Sequence, residues 1–140
     1  HFANKLWNIA RFVLMNLPEE TGLKSLTEED RNKLDNLREF TKDVTEDMEK
    51  YRYYLAAEKI YHYIWHTFAD KIVEESKSKL TGEDEAIKSS ARHMLLEILI
   101  TCLKLLHPFM PFVTEEIYSQ LPINPPAGGK KMLLVENWPS

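Results

Sequence analysis

IKSSARHMLLEILITCLKLL, residues 87–106, is the stretch of sequence that decides the fold. Its apolar side chains recur at three- and four-residue steps, which is the spacing of one face of an α-helix. From Leu95 onward they occur on nearly every side, a pattern typical of a helix surrounded by protein. The sequence therefore predicts a central helix with amphipathic helices packed around it. Cys102, the single cysteine, lies on the apolar stripe, so we interpret it as a buried core thiol.

The segments before this helix carry amphipathic helical patterns. In the first segment one apolar stripe comprises Phe2, Leu6, Ile9, Ala10, Val13, Leu14 and Leu17, and Pro18 ends the helix. A second helix is predicted to start at Thr27, whose hydroxyl can cap the backbone ahead of three acidic residues. Residues 27–80 contain neither Gly nor Pro. Because so long a single helix is rare in a compact domain, we place a break near Arg52–Tyr54, before a third helix.

The sequence after the central helix predicts a short helix and a tail. His107-Pro108 ends the central helix, and Pro111 can begin a fifth helix through Leu121. A Pro- and Gly-rich loop follows, and Met132–Val135 could form a strand only when paired with another segment. We predict an all-α fold, an antiparallel helical bundle of four main helices plus a short fifth helix and an extended C-terminal tail. The bundle is assigned to residues 1–121, and the loop and short strand to residues 122–140.

The composition is that of a globular domain, with 44% hydrophobic and 29% charged residues and a net charge of -4. The longest apolar run is far shorter than the roughly 20 residues needed to cross a bilayer, so we expect no membrane partner. The sequence shows no secretory or transit signal, and one cysteine suits a reducing compartment. We therefore expect a cytoplasmic location.

A search for catalytic and metal-binding motifs finds only one candidate. No phosphate-binding glycine loop and no nucleophile elbow occur, so we predict no catalytic residue. Glu58, His62, His66 and Asp70 share one helix face, and two histidines four residues apart can reach one zinc ion. The glutamate of a metalloprotease is absent between these histidines, and a single row on one helix presents few ligands to one ion. We interpret the row as a solvated polar face and predict no metal site.

The first helix carries the most suggestive constellation. Asn4, Asn8 and Arg11 lie on one face, with Lys5 beside them and no carboxylate among them. Asn offers a donor and an acceptor that suit base edges, and Lys and Arg suit phosphate. Trp7 and Phe12, nearby in sequence, could stack on unpaired bases. The alternative is an ordinary solvated helix face with the aromatic residues in the core, and the pattern alone favours that alternative.

Four stretches resemble the anticodon-binding domain of valyl-tRNA synthetases, in that family's order and spacing. They are ANKLWNIARFVLM at 3–15, WHTFADKIVEESK at 65–77, LLHPFMPFVTEEIYSQL at 105–121 and the tail Met132–Pro139. The third is similar to a segment shared by valyl, isoleucyl and leucyl enzymes, and the first singles out the valyl enzyme. The chain departs from the family at Lys71-Ile72, where Trp-Tyr is usual.

The resemblance implies a helical domain that grips the anticodon stem-loop of valine tRNA. The parent enzyme, a valine–tRNA ligase, would use ATP to activate valine and then esterify the tRNA. Its HIGH- and KMSKS-type adenylation signatures are absent from these residues, so this chain itself should be catalytically silent and need no cofactor. The tRNA-binding candidates are Asn4, Lys5, Asn8 and Arg11, with Asn16 as a weaker one. The expected partners are tRNA and the catalytic domain of the same polypeptide, in a monomer.

Alternatives stay open at this point. The first-helix residues could pack against the catalytic domain instead of tRNA. The chain could also be the same domain of a sister isoleucyl- or leucyl-type synthetase. A helical protein-interaction module without any RNA role, and a small helical metalloprotein, are two further hypotheses. Salt-dependent affinity for tRNA would distinguish an anticodon-binding domain from these last two hypotheses, because phosphate contacts release counterions.

Overall fold

Five helices form within residues 1–18, 25–122 and 138–139, which are the residues described by the computed structural model. They are α1 at Phe2–Met15, α2 at Glu28–Glu49, α3 running from Tyr53 to Thr81, α4 at Glu85–Leu106 and α5 at Pro111–Ser119. The predicted all-α bundle of four main helices and a short fifth is thereby confirmed. The predicted loop after Pro122 and the strand Met132–Val135 lie outside the described residues, so the proposed division at residue 121 stays a prediction.

The helix starts follow from local chemistry that the sequence displays. Thr27 caps α2, since its hydroxyl accepts the Asp30 N–H at 3.2 Å, as predicted. Asp84 caps α4 by accepting the N–H groups of Ala86 at 2.9 Å and Ile87 at 3.2 Å. Pro111 opens α5 at a position where its missing N–H costs nothing. Helices α2, α4 and α5 therefore begin at residue types able to satisfy or dispense with the free backbone donors, whereas within the described residues the starts of α1 and α3 have no side-chain cap hydrogen bond.

Helix α3 contains a wide central segment that the sequence pattern did not predict. Tyr53–His62 and Glu74–Thr81 are α-helical, whereas Tyr63–Val73 between them is π-helical, with hydrogen bonds that span five residues instead of four. Six of its residues are buried: Tyr63, Ile64, Phe68, Ala69, Ile72 and Val73. Ile64, Phe68 and Ile72 still recur every four residues and are buried, and the wider turn buries Tyr63, Ala69 and Val73 beside them.

The core is organised around α4, which packs against each of the other four helices. Its side chains Met94, Leu95, Ile98, Leu99 and Leu103 are fully buried. Burying one such side chain stabilises the fold by roughly 1.5–3 kcal/mol, so this helix contributes much of the driving force for folding. The prediction of α4 as the central element is confirmed, and Cys102 is buried within it as expected.

Two buried aspartates tie the helices together at opposite ends of α2. At its start, Asp30 accepts hydrogen bonds from Ser90 of α4 at 2.6 Å and from Lys79 of α3 at 2.9 Å. Burial alone would raise the pKa of Asp30, but the Ser90 hydroxyl and the Lys79 ammonium outweigh it and hold that pKa below its ordinary value. These contacts join three helices at one carboxylate.

The second aspartate, Asp47, fixes the turn between α2 and α3. Lys59 Nζ lies 2.7 Å from one carboxylate oxygen, and Arg52 lies 2.8 Å from the other. The Lys59 ammonium lowers the pKa of Asp47 most, and Arg52 lowers it further, against the opposing effect of burial. Since Lys79 pairs with Asp30 and Lys59 with Asp47, α2 and α3 run antiparallel.

The end of the chain returns to α2. Trp138 Nε1 donates to Thr45 Oγ1 at 2.8 Å, and the indole packs against the hydrophobic core. Among the described residues, no helix combines the length and apolar composition required to span a membrane.

Candidate nucleic-acid interface

The outward face of α1 is set by its buried face. Leu6, Ile9, Ala10 and Val13 are buried against the other helices. The helical repeat then places Asn4, Asn8 and Arg11 on the opposite side, where all three are exposed, followed by Met15 with 84% of its surface accessible. The predicted polar stripe therefore exists in the folded chain. We call Asn4, Asn8, Arg11 and Met15 the outer stripe.

Arg11 and Asn8 form the centre of the outer stripe. Arg11 Nη1 donates to Asn8 Oδ1 at 3.0 Å, and the guanidinium carbon lies 5.9 Å from the centroid of the Trp7 ring. Within the described part of the chain, no carboxylate pairs with Arg11. Its charge and remaining N–H donors therefore stay available to an external acceptor, held in position by Asn8 and Trp7.

Lys5 lies apart from that pair, on the side of α1 that faces α3. Its ammonium is 3.2 Å from Asp70 Oδ1 and 5.0 Å from the centroid of Trp65. Lys5 is the main cause of a lowered pKa at Asp70. The structure thus gives Lys5 a helix–helix ion pair, which partly neutralises the charge that it could offer to a phosphate.

Asn16 closes the carboxyl end of α1. Its side-chain Nδ2 donates to the backbone oxygen of Phe12 at 2.8 Å, satisfying one of the carbonyls that a helix leaves free at its end. The half-buried amide is therefore engaged within the helix. Of the five predicted residues, the structure brings together Asn8 and Arg11, keeps Asn4 on the same stripe, and directs Lys5 and Asn16 to other partners.

Aromatic side chains next to α1 were only partly anticipated. Trp7 and Phe12 are half-buried and packed against the core, so each presents at most one edge or face to solvent. Phe2 packs on Tyr61 and Trp65 of α3, with ring centroids 4.6 and 6.3 Å apart. The sequence could not reveal this second group, because it joins residues about sixty positions apart. Met15 was missed because methionine carries no polar signal.

The histidine row on α3 does not converge on a common point. The His62 and His66 rings are 4.7 Å apart, and His66 Nδ1 lies 3.4 Å from Asp70 Oδ2. Asp70 is shared with Lys5, which would compete with any cation for that carboxylate. Over the described residues, no group of three or more His, Cys, Asp and Glu side chains is arranged to hold a metal ion.

Comparison with known proteins identifies relatives of the chain. Residues 30–140 match the family described as the anticodon-binding domain of tRNA ligase. A valine–tRNA ligase of Clostridium acetobutylicum is 38% identical over 145 residues, which cover 100% of this chain and 16% of the relative. The Listeria innocua valine–tRNA ligase is 42% identical over 144 residues, covering 99% of this chain and 16% of the relative. A Bacillus cereus valine–tRNA ligase is 43% identical over 129 residues, 87% of this chain and 14% of the relative.

The extent of these matches bears on α1. The family match begins at residue 30 and leaves α1 outside it, whereas the Clostridium and Listeria relatives extend over α1 as well. The chain spans about one-sixth of the length of these curated relatives.

Proposed function

This chain belongs to the family of anticodon-binding domains of tRNA ligases, and on that premise we propose that it binds the anticodon stem-loop of a tRNA through the outer stripe of α1. We propose valine tRNA as the substrate of the protein to which the domain belongs, because the relatives described above are valine–tRNA ligases. The domain would contribute recognition and positioning, with no chemical step of its own.

The observation that carries the proposal is the exposed, carboxylate-free outer stripe in an otherwise acidic chain. The net charge is -4, yet Asn4, Asn8 and Arg11 line up without an acidic neighbour on the same stripe. Carboxylates on most of the surface repel a polyanion such as tRNA, whereas a region without carboxylates does not. Where the polyanion binds therefore depends on the local electrostatic potential and not on the net charge. An anticodon loop also offers unpaired base edges, which asparagine amides can read.

Roles follow from the geometry of each side chain. Arg11 would contact a phosphate or a base edge, since its guanidinium is oriented by Asn8 and Trp7 while keeping free donors. Asn4 would add an amide on the same stripe. Lys5 would act mainly by long-range electrostatic attraction of the tRNA, because its ammonium is already paired with Asp70. Asn16 would act indirectly, by fixing the end of α1.

The remainder of the synthetase is also part of the proposal. We propose that a catalytic part of a longer polypeptide uses ATP to activate valine and then charges the tRNA held by this domain. We further propose that this polypeptide acts as a monomer in the cytoplasm. The half-buried Trp7 ring, whose centroid lies 5.9 Å from the Arg11 guanidinium carbon, could support a base that leaves the loop stack, and the half-buried Phe12 is a second candidate.

The test is to measure the affinity for valine tRNA at two salt concentrations, with an anticodon-changed transcript as the control. Phosphate contacts predict a negative log–log salt slope, of about −0.7 for each ion pair formed with a single strand such as the anticodon loop. Tighter, salt-dependent binding to the native anticodon supports the proposal. Equal affinity for both transcripts would contradict anticodon reading and leave only backbone contact.

A charge reversal on the outer stripe locates the contact. Arg11→Glu should weaken tRNA binding about tenfold to a hundredfold, because a hydrogen bond to a charged group contributes roughly 1.5–3 kcal/mol. Arg38→Glu is the control for net charge, since Arg38 is exposed on α2, which packs mainly on α3 and α4, and its ion pair is with Asp35 on the same helix. Equal losses in both variants would mean that only net charge matters, and the contact assignment to α1 would be wrong.

A further inference from the structure

Exposed apolar side chains are concentrated at the start of α3. Over the described residues, eight large hydrophobic side chains are exposed, and five of them lie between positions 51 and 61. They are Tyr51, Tyr53, Tyr54, Leu55 and Tyr61, with Tyr51 and Tyr54 at 78% and 84% exposure. Isolated exposed hydrophobic residues are normal on a protein surface, but a contiguous group marks an interaction site. We call Tyr51, Tyr53, Tyr54 and Leu55 the tyrosine turn.

The tyrosine turn is held in one conformation by buried charge. Tyr51 has a left-handed backbone with φ of 61°, which costs a non-glycine residue about 1–2 kcal/mol. The next residue, Arg52, donates through Nε at 3.0 Å to Asp47 and contacts the same oxygen through Nη2 at 2.8 Å. Since such strain persists only where the surroundings enforce it, Asp47 and Arg52 fix the direction in which the tyrosines project. A prearranged set of rings loses little entropy on binding.

Further aromatic side chains lie along α3 between the turn and α1. Tyr54 and Tyr61 are seven residues apart in the α-helical part of α3, so they lie on the same face. Tyr61 is 45% exposed, and its ring centroid lies 4.6 Å from that of Phe2 in a tilted contact and 5.7 Å from that of Trp65 in a stacked one. Aromatic rings on this face thus extend from the tyrosine turn to the first residues of α1, with the exposed Glu58 between Tyr54 and Tyr61.

The charges around the tyrosine turn favour a protein over a nucleic acid. Its cations are already engaged, since Lys50 pairs with Glu46 at 2.6 Å and Lys59 with Asp43 and Asp47 at 3.0 and 2.7 Å. Glu49 and Glu58 are exposed and, within the described ranges, have no ion-pair partner. A surplus of carboxylates repels phosphate and attracts lysine or arginine.

We propose that the tyrosine turn is the docking surface for another part of the same tRNA-ligase polypeptide, an apolar protein surface with cationic side chains at its rim. This inference rests on the proposed place of the domain in a longer synthetase, and not on tRNA binding. About five-sixths of each relative lies outside the segment that matches this chain, so contacts within one polypeptide are to be expected. Tyrosine suits such a surface, because it offers a large rigid ring with one polar atom.

Hydroxyl-radical footprinting tests the docking surface directly. The two samples are this chain alone and a chimera in which it replaces the matching segment of the Clostridium acetobutylicum relative, both without RNA. Docking predicts that Tyr51, Tyr53 and Tyr54 react about fivefold or more slowly in the chimera, as expected for rings withdrawn from water at an interface. Ile87, exposed on α4, is an internal reference outside the proposed surface.

Each other outcome overturns the docking proposal. Unchanged reactivity in the chimera would mean that the turn stays in solvent. Protection that appears only after tRNA is added would assign the turn to RNA, and protection that grows with the concentration of the isolated chain would assign it to a second copy. If the chimera does not fold, as judged by circular dichroism, the same footprint is taken after mixing the chain with the relative's remaining polypeptide, and absence of protection there also contradicts the proposal.

A variant separates this surface from the tRNA site. Tyr51→Ser/Tyr53→Ser/Tyr54→Ser should lower the unfolding temperature of the chimera by several degrees more than that of the isolated chain, because only the chimera loses an interface. Arg11→Glu should leave the footprint of the turn unchanged while it weakens tRNA binding. Equal shifts in chimera and isolated chain would show that the tyrosines serve only the fold of this domain, and docking would be excluded.

Discussion

At the scale of single residues, Tyr51 is where the fold departs most from local preference. Among the described residues it is the one non-glycine with a positive φ, at 61°, and its side chain is largely exposed with an edge-on contact to Tyr53 at 6.1 Å. The side chain therefore contributes little packing that could offset the backbone strain. The strain is maintained by the neighbouring Asp47–Arg52 pair.

Replacing Tyr51 with glycine should stabilise the isolated chain. The change removes about 1–2 kcal/mol of left-handed strain, while the greater freedom of glycine in the unfolded chain costs roughly 0.5–1 kcal/mol. The free energy of unfolding should therefore rise by up to about 1.5 kcal/mol. Urea denaturation measures this difference.

The matched control for that change has the opposite sign. Tyr54→Gly, at an exposed position with helical backbone, should destabilise by up to about 1 kcal/mol. A loss of stability in Tyr51→Gly equal to that in Tyr54→Gly would show that the Tyr51 ring contributes more than its backbone strain costs.

The residue scale also shows what the sequence could and could not predict about the candidate site. The exposure of Asn4, Asn8 and Arg11 follows from helical periodicity alone, and the structure has it as predicted. The engagement of Lys5 with Asp70 could not be predicted, because it depends on how α1 and α3 pack. Whether these residues contact tRNA stays a prediction.

At the scale of helices, the start of α4 depends on one side chain. Asp84 accepts from two backbone N–H groups and lies in the extended conformation expected of a cap. Asp84→Ala should therefore lower the free energy of unfolding by about 1 kcal/mol, whereas Asp84→Asn should change it little, because asparagine caps about as well. Thermal denaturation followed by circular dichroism compares the three proteins. Similar losses in both variants would point to the charge of Asp84, and not to its hydrogen bonds.

Helix α3 marks the limit of prediction from periodicity. The break near Arg52–Tyr54 is confirmed, since α2 ends at Glu49 and α3 begins at Tyr53. The π-helical stretch Tyr63–Val73 was not predicted, because the three- and four-residue spacing used to assign helices assumes the α-helical turn throughout. This stretch packs against α1 and α4, and sequence spacing does not encode those contacts.

At the scale of the whole molecule, the bundle is tied together by carboxylates with lowered pKa values. The folded pKa values of Asp30 and Asp47 lie below the ordinary value of 3.8. Their stabilising effect is therefore fully present above about pH 5 and is lost as the pH falls below 3.8 through the folded values. Both pairs join separate helices, so acid weakens the assembly of the bundle more than any single helix.

An acid titration checks this linkage. The free energy of unfolding should fall steeply between about pH 5 and pH 2, and Asp30→Asn should be less stable than the natural chain near neutral pH but nearly equal to it at the acid end. Urea denaturation at a series of pH values measures both proteins. A constant difference between them across this range would show that the Asp30 charge does not carry the effect.

The overall architecture could be predicted because one segment dominates it. Residues 95–106 are apolar on nearly every side of their helix, so other helices must cover them, and a bundle follows. The caps and prolines then divide the remaining chain into helices. The order of packing could not be predicted, because many arrangements bury the same stripes. Hence α1 on α3, α4 and α5, and α2 on α3 and α4, are findings of the structure alone.

The burial of Cys102 has a practical consequence. The chain's single thiol lies in the last turns of α4 with 1% of its surface accessible, and burial raises its pKa far above the ordinary value. A folded molecule therefore offers thiol reagents neither access nor a thiolate. The slow modification of Cys102 thus reports how often the bundle opens, and a cysteine introduced on the outer stripe could carry a fluorophore without competition from the native thiol.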